Sequence, residues 1–565
     1  MKKAALWVFL LVALVAVAAL IGWAATYTPL YSESASEAWS RGRILGVSPV
    51  NIAVGLQPAA DNGAWLTWVD LDNRLHVVQM GGRGQVLADR TPVPGTGVPR
   101  APRLVADTGG SLHLIWLETQ GGASELRYAR LSPTLAVESG PRALSLPWDT
   151  ARSPQLVLTA PGSLQVFWIG EAGLYHLAIG DPDGGQGEPR LLAEGARDLA
   201  VHVDEVGLVH LAWAEEPGPN SRIIWYAVFN PEAREISTPE EMGSLFLRGA
   251  QRIESMAVGV DSNTGYVVWI IQDLRDVDSR GWYAHFPREL PRLSRIQTLQ
   301  LSMGSSPLSL SGLRNQEGRF VLAMSQSVMT PAGPQVQIGI LPMGPESPPE
   351  QEVWAALTLQ ASTPPAAPVR QLETQYTVTA SERPSLRPTL AMDAQGELHL
   401  AWFQTGGFGV YRVAYASTAP GVLQAYNAVT LWDVVDQVFG LAMKLFMVVG
   451  LMPALAIGWS LLPLLWLFGY HLVTGKEVLE TTSAHVAMAV AVVLVLVMTY
   501  LIYPYRAIMS PTLQWLAPPA TAALALLLSA AYLRRQDDPS LFGGFFIFAI
   551  AHGFLQVALF VLLQW

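Results

Sequence analysis

The chain predicts an all-β propeller of about seven blades joined to an α-helical transmembrane region. Three observations predict it. A tryptophan-ended phrase recurs at blade-length intervals between residues 43 and 417. An unbroken apolar run follows two lysines at the N-terminus, and from about residue 430 the composition shifts to Leu, Val, Ala, Phe and Trp with few charges.

Lys2 and Lys3 precede an apolar stretch from Ala4 to Ala25. At about 1.5 Å per residue this is long enough to span a bilayer, and its small residues Ala24 and Ala25 also suit a secretory cleavage site. Residues 1–26 therefore read as a signal-anchor or signal peptide. Under either reading the lysines stay in the cytoplasm and the chain is exported from residue 27 onward. Residues 27–42 form a stalk.

The repeat is a short apolar strand, a turn, and then a phrase of the type Gly-x-Leu-His-Leu-x-Trp. It occurs as PRLVADTGGSLHLIW ending at Trp116, PQLVLTAPGSLQVFW at Trp168 and LAVHVDEVGLVHLAW at Trp213. It returns as MAVGVDSNTGYVVW at Trp269 and PTLAMDAQGELHLAW at Trp402, with degenerate copies ending at Trp68 and Met324. The spacings are 48, 52, 45 and 56 residues, then 55 to Met324 and 78 to Trp402. Units of about 40–50 residues holding three or four short strands are blade-sized. Inner blade strands are covered on both faces, so both registers must be apolar. In Leu112–Trp116, Leu112, Leu114 and Trp116 share one face while His113 and Ile115 share the other. The Pro-rich stretch 342–368 explains the long last spacing and reads as a surface insertion.

The last copy supplies strands near 386–391, 397–403 and 410–416 without a fourth. An open edge in the final blade would invite aggregation. Arg43–Val47 has no partner of its own, so it is expected beside Val410–Tyr415 as the outer strand of the last blade. That pairing brings the segments before residue 43 and after residue 417 together.

Residues 418–444 read as a linker with an interfacial lead-in helix over Asn427–Met443, anchored by Trp432. Residues 445–565 read as four transmembrane helices, about 445–470, 485–503, 515–533 and 541–563. Starting outside, this puts Lys476 in one inner loop and Arg534–Arg535 in the other, with Arg506 in an outer loop, as the positive-inside rule requires.

Between residues 27 and 429 there are 28 Arg, no Lys and 39 acidic residues, a net charge of −11. Such a domain is a poor partner for nucleic acid. With no cysteine in the chain, disulfides, thiolate metal sites and cysteine nucleophiles are excluded.

The phrase D-x-x-G-x-L-H-L-x-W resembles the repeats of sialidase-like and BNR-type propellers, over about residues 45–417. It departs from the sialidase Asp box, since Asp393 is followed by Gly396 and Trp402. The resemblance implies the fold and says little about glycosidase activity.

The tryptophans Trp68, Trp116, Trp168, Trp213, Trp269 and Trp402 are expected to be structural. His113, His210 and His399 share one repeat position; equivalent positions in different blades lie around a ring, so each is expected to hydrogen-bond within its blade rather than ligate one ion. Asp181 and Asp183, and Asp273, Asp276 and Asp278, are weak Ca²⁺ candidates without the spacing of a known loop, in stretches typical of turns. His552, near the middle of the last span, is a costly intramembrane polar group, expected in a proton relay or a packing hydrogen bond. No catalytic or cofactor motif stands out. The expectation is a membrane-tethered propeller that binds or scaffolds an extracellular glycan, peptide or protein, with the bilayer and another membrane protein as partners of the helices. Alternatives are an exported glycoside hydrolase and a component of a membrane transport or secretion complex.

Overall fold

The computed structural model describes residues 31–563, leaving out 33, 35, 50–51, 60, 94–96, 121, 146–149, 161–162, 181–187, 274–278, 300–305, 331–332, 344–357, 360–375, 382, 408, 430–432, 436–457, 459, 476, 503–510 and 537. The chain forms two compact units, which divide at residues 428/429. The expected N-terminal signal-anchor or signal peptide, Trp432 and most of the expected lead-in helix lie outside the described residues.

Seven sheets, each with an antiparallel core of strands, form the blades of the first unit. Blade 1 is Gly55–Pro58, Ala64–Val69, Leu75–Met80 and Val86–Arg90. Blade 2 begins at Val98–Ala106, blade 3 at Arg152–Ala160, blade 4 at Ala196–Val203 and blade 5 at Gln251–Val260. Blade 6 begins at Ser306–Arg314 and blade 7 at Ser385–Met392. The first strands of successive blades touch in cyclic order, and that of blade 7 touches that of blade 1. The ring is therefore closed, with the first strands around its axis.

Tryptophan periodicity builds the core. Seven separate apolar clusters lie between the seven pairs of neighbouring blades. Trp68, Trp116, Trp168, Trp213, Trp269 and Trp402 each join the cluster facing the preceding blade, and Met324 takes this place in blade 6. All are buried. An apolar residue of this size once per blade removes on the order of 2–3 kcal/mol worth of surface from water.

Closure uses the strand expected for it. Gly42–Ser48 pairs antiparallel with Val410–Ser417, matching Arg43 to Tyr415 and Val47 to Arg412. Tyr31–Ser32 adds a further short strand outside it. The helix Pro420–Asn427 then packs Val422 and Tyr426 into the core between blades 7 and 1. This helix precedes the lead-in helix expected over Asn427–Met443, of which residues 433–435 are helical and most of the rest lies outside the described residues. Of the expected Pro-rich insertion, Pro342 ends the strand Gly333–Pro342, Met343 joins the core between blades 5 and 6, and Thr358–Leu359 pair in parallel with Ser244–Leu245 at the outer edge of blade 4.

In the second unit, Thr482–Leu501 and Trp515–Leu533 are long and apolar enough to cross a membrane. Of the other two expected spans, Ser460–Thr474 is a shorter apolar helix, and the last is helical over Leu541–Leu563. Val478 bridges Ser540, and Leu541 N donates to Glu477 O at 2.8 Å. The two loops expected on the cytoplasmic side thus lie side by side at one end of the helices.

Candidate functional site

The repeat histidines form one clamp in three blades. In blade 7, Oδ1 of Asp393 accepts the amides of Gln395 and Glu397 at 3.0 and 2.8 Å, shaping the turn. Its Oδ2 lies 3.2 Å from His399 Nε2, and His399 Nδ1 lies 2.7 Å from the hydroxyl of Tyr415 on the third strand. Asp107–His113–Tyr128 and Asp204–His210–Tyr226 repeat this arrangement. Burial lowers the pKa of His113 and His399 against the pull of their aspartates. Each clamp ties the turn to the third strand of its own blade, and the three are not brought together.

Asp181, Asp183, Asp276 and Asp278 lie outside the described residues. Asp273 ends the strand Thr264–Asp273, paired with Gln251. Among the described residues no cluster suited to a metal ion occurs. His552 stands between helices, with Nε2 3.2 Å from Thr499 Oγ1 and Nδ1 3.3 Å from Thr521 Oγ1. Gln556 Nε2 also donates to Thr521 Oγ1 at 2.7 Å, so the group is one buried polar knot binding three helices.

A different set of residues converges at the axis, where the first strands begin. Ala101, Ser153 and Arg387 occupy the same position in blades 2, 3 and 7, each before a proline and each with φ of 46°, 49° and 52°. Pairing with the second strand shifts register at each of these places. Left-handed backbone at non-glycine residues is strained, and bulges re-aim the side chains beside them.

The charges at this end come from four blades. Arg387 of blade 7 reaches across blade 6 to Glu254 of blade 5, with Nη2 2.5 Å from Oε1. Glu254 also holds Arg252 at 2.7 Å. In blade 4, Glu216 takes Arg222 at 2.6 Å and Arg197 at 3.4 Å. Asp198 lies amid them: burial pushes its carboxyl up, Arg222 and Arg152 pull against this, and Glu216 and Glu254 push with it. Further along the axis, burial brings the Arg103 guanidinium down to about 10, still charged at neutral pH. Its Nη1 donates to Ala53 O and Pro102 O at 3.3 and 3.2 Å.

This mouth and the chain attachments occupy opposite ends of the ring. First strands run from the mouth to the Asp-turns, so Arg387 and Asp393 are about 20 Å apart along blade 7. Ser40 N donates to Ser417 O at 3.0 Å beside the Asp-turn end, where Leu398 N meets Thr418 Oγ1. A second ionic knot seals that end: Arg288 pairs with Asp204 and Glu205, and Arg314 of blade 6 also pairs with Glu205 of blade 4.

Sequence reasoning missed the mouth, although it left a trace. The copies ending at Trp116, Trp168 and Trp402 begin RAPRL, RSPQL and LRPTL, an arginine beside an X-Pro step.

No family model matches the chain, and no curated protein matches it. Solved structures are similar to it in fold. A protein of unknown function from Dyadobacter fermentans shares 11% identity, covering 66% of this chain and 99% of that one, at a TM-score of 0.39. The polysaccharide lyase Uly1 shares 9%, covering 66% and 90%, at 0.43. The GH93 α-L-arabinofuranosidase of Fusarium graminearum shares 9%, covering 56% and 92%, at 0.35.

Proposed function

We propose that this chain is a membrane-tethered, extracytoplasmic propeller that binds a glycan, peptide or partner protein at its axial mouth. The observation that carries the reading is the convergence of Arg152, Arg222, Arg252, Arg387, Asp198, Glu216 and Glu254 from four blades at the ring end remote from both chain attachments. Polar groups held at a rigid axis, with strained backbone behind them, are how a propeller presents a site; fold alone assigns no function. The exported position of the ring follows from Lys2 and Lys3, and the pairing of the loops carrying Lys476 and Arg534–Arg535 is consistent with a shared cytoplasmic side.

A second reading, an exported glycoside hydrolase, rests on the unequal settings of two acids in the mouth. Glu254 carries two arginines, whereas burial raises Asp198. Carboxyl groups in contrasting environments are what acid–base cleavage of a glycosidic bond requires.

Full-length protein in nanodiscs, screened against glycan and peptide arrays beside its Arg152→Ala and Arg387→Ala variants, tests the first reading. Binding that both variants lose without a change in melting supports it. If every ligand found is indifferent to both substitutions, the mouth is not the site. Release of reducing ends from a bound glycan, abolished by Asp198→Asn, would instead favour the hydrolase.

A further inference from the structure

We propose that the outer edge of blade 4 is a strand-addition surface, which the chain guards with its own insertion after Pro342. The inference goes beyond the axial site and does not depend on it.

The edges of the blades are not alike. An outer strand leaves a row of backbone N–H and C=O groups open to any extended chain, unless it is short, charged or irregular. Val86–Arg90, Arg190–Glu194 and Arg295–Leu299 have five residues each, and each carries at least one charge. Val137–Ala143 is longer, but Pro141 and two register shifts break it. In blade 7, Gly42–Ser48 is covered by Tyr31–Ser32, and blade 6 ends in the two residues Tyr376–Thr377. Glu240–Phe246 of blade 4 differs from all of these. It has seven residues, its second part Met242–Phe246 holds neither charge nor proline, and Phe246 is exposed.

The chain brings a strand to this edge from elsewhere. Thr358–Leu359 pair with Ser244–Leu245 in parallel, the one parallel strand pair among those described. A tight hairpin cannot supply a parallel neighbour. This one comes from blade 6, with blade 5 standing between in the ring. Ile340 lies opposite Tyr376 where the insertion leaves and re-enters blade 6, so the excursion leaves that blade's own pairing intact. Fifteen residues separate Pro342 from Thr358, and sixteen separate Leu359 from Tyr376. At about 3.3 Å per residue each leg reaches up to about 50 Å.

Sequence argues that edge and segment belong together. Residues 353–369 hold no charge, and before Pro364 they include Ala-Leu-Thr-Leu-Gln around the paired residues. An uncharged, strand-forming stretch without proline is an aggregation hazard when left open, as is an uncharged edge. Each covers the other. In strand addition the main chain supplies the hold, so an extended, uncharged segment presented in the same direction fits this edge once the insertion leaves it. Blade 4 lies across the ring from the joint of blades 7 and 1, so the two chain attachments of the first unit are away from this surface.

The test uses full-length protein in nanodiscs and a synthetic peptide of residues 353–363. In a chain with no cysteine of its own, Ser244→Cys with Thr358→Cys should close a disulfide within one molecule on mild oxidation. A second variant replaces residues 345–374 by a short Gly-Ser linker. A tethered occupant competes at an effective concentration on the millimolar scale, so the peptide should bind the excised protein about tenfold or more tighter than wild type. The same peptide carrying Thr358→Pro and Leu359→Pro, which cannot donate to the edge, should not bind. If excision prevents folding, the full-length Thr358→Pro/Leu359→Pro variant, with nothing removed, gives the same reading. A disulfide that forms only between two molecules or not at all overturns the inference. So does a peptide that binds neither protein, or binds both alike.

Discussion

Gly46 of the closing strand lies against the indole of Trp68 in blade 1, so close that a β-carbon there would fall 2.7 Å from Cζ2. Gly42, four residues earlier, stands in the same relation to Trp402. The strand that closes the ring therefore needs two positions without a side chain, each facing a repeat tryptophan. Gly46→Val should drive Trp68 off its site and cost about 1–3 kcal/mol by overpacking. Thermal melting of the full chain checks this, and an unchanged midpoint would show that the strand and Trp68 are not in contact.

The repeat tryptophans carry the inter-blade cores. Trp402→Ala empties the cluster between blades 6 and 7 and should cost about 3–5 kcal/mol. Replacing Asp181 or Asp276 by Ala should do much less. A Trp402→Ala ring that melts within a degree or two of wild type would contradict the core described above.

The blades, their number and their closure were legible because each depends on residues a few positions apart, repeated. Trp116 and Trp402 mark equivalent strands whatever surrounds them, and the missing fourth strand after residue 416 pointed back to Arg43–Val47. The mouth was not legible. Arg387 and Glu254 are far apart in sequence and meet only because blades 5, 6 and 7 curve around one axis. Arg197, Arg222 and Arg252 occupy different strand positions, so no spacing rule selects them from 28 arginines. The helix Pro420–Asn427 was not legible either: over eight residues, the burial of Val422 and Tyr426 depends on the joint between blades 7 and 1 rather than on any local repeat.

Stability of the ring should fall in acid. Burial lowers His176 and His202 to about 4, against about 6.5 in an unfolded chain. Both fold as neutral imidazoles. Gln165 Nε2 donates to Ser163 Oγ, leaving Oε1 to accept from His176 Nε2 at 2.7 Å. Because the unfolded chain binds the extra protons, stability is fully present above about pH 6.5 and is lost as pH falls toward 4. For the buried His176 the loss is on the order of 3 kcal/mol. Melting scans from pH 7 to 4.5 should show it, and His176→Gln should flatten part of the slope. A midpoint constant across that range would contradict the neutral burial of both rings.

A chain without cysteine makes orientation simple to measure. The proposed topology puts residues 27–430 outside, so Val206→Cys, on a turn residue that is 70% exposed, should react in intact cells with an impermeant maleimide. Arg535→Cys should react only after the membrane is opened. Labelling of Arg535→Cys from outside would reverse the proposed topology.

Arg41 ties the entry of the ring to its exit. Its backbone amide donates to Asn427 Oδ1 at 2.7 Å, Nε to Tyr426 O at 2.6 Å and Nη2 to Ala428 O at 3.0 Å. The guanidinium also lies 4.7 Å from the centre of the Tyr31 ring. A cation on the last carbonyls of the helix Pro420–Asn427 meets the negative end of its dipole and satisfies groups the helix cannot. Arg41→Ala removes the side-chain bonds and keeps the amide one, so the loss should be about 1–2 kcal/mol and local. Hydrogen exchange should rise at Tyr426, Asn427 and the strand Gly42–Ser48 while blades 2–6 stay protected. Tyr426 itself should remain docked, because its hydroxyl donates to Gly84 O at 2.6 Å from the opposite side of the joint. Exchange that rises uniformly around the ring would mean that Arg41 guards global stability rather than this junction; exchange that does not change would mean that the Arg41 side chain adds nothing to the hold of the closing strand and the backbone bonds beside it.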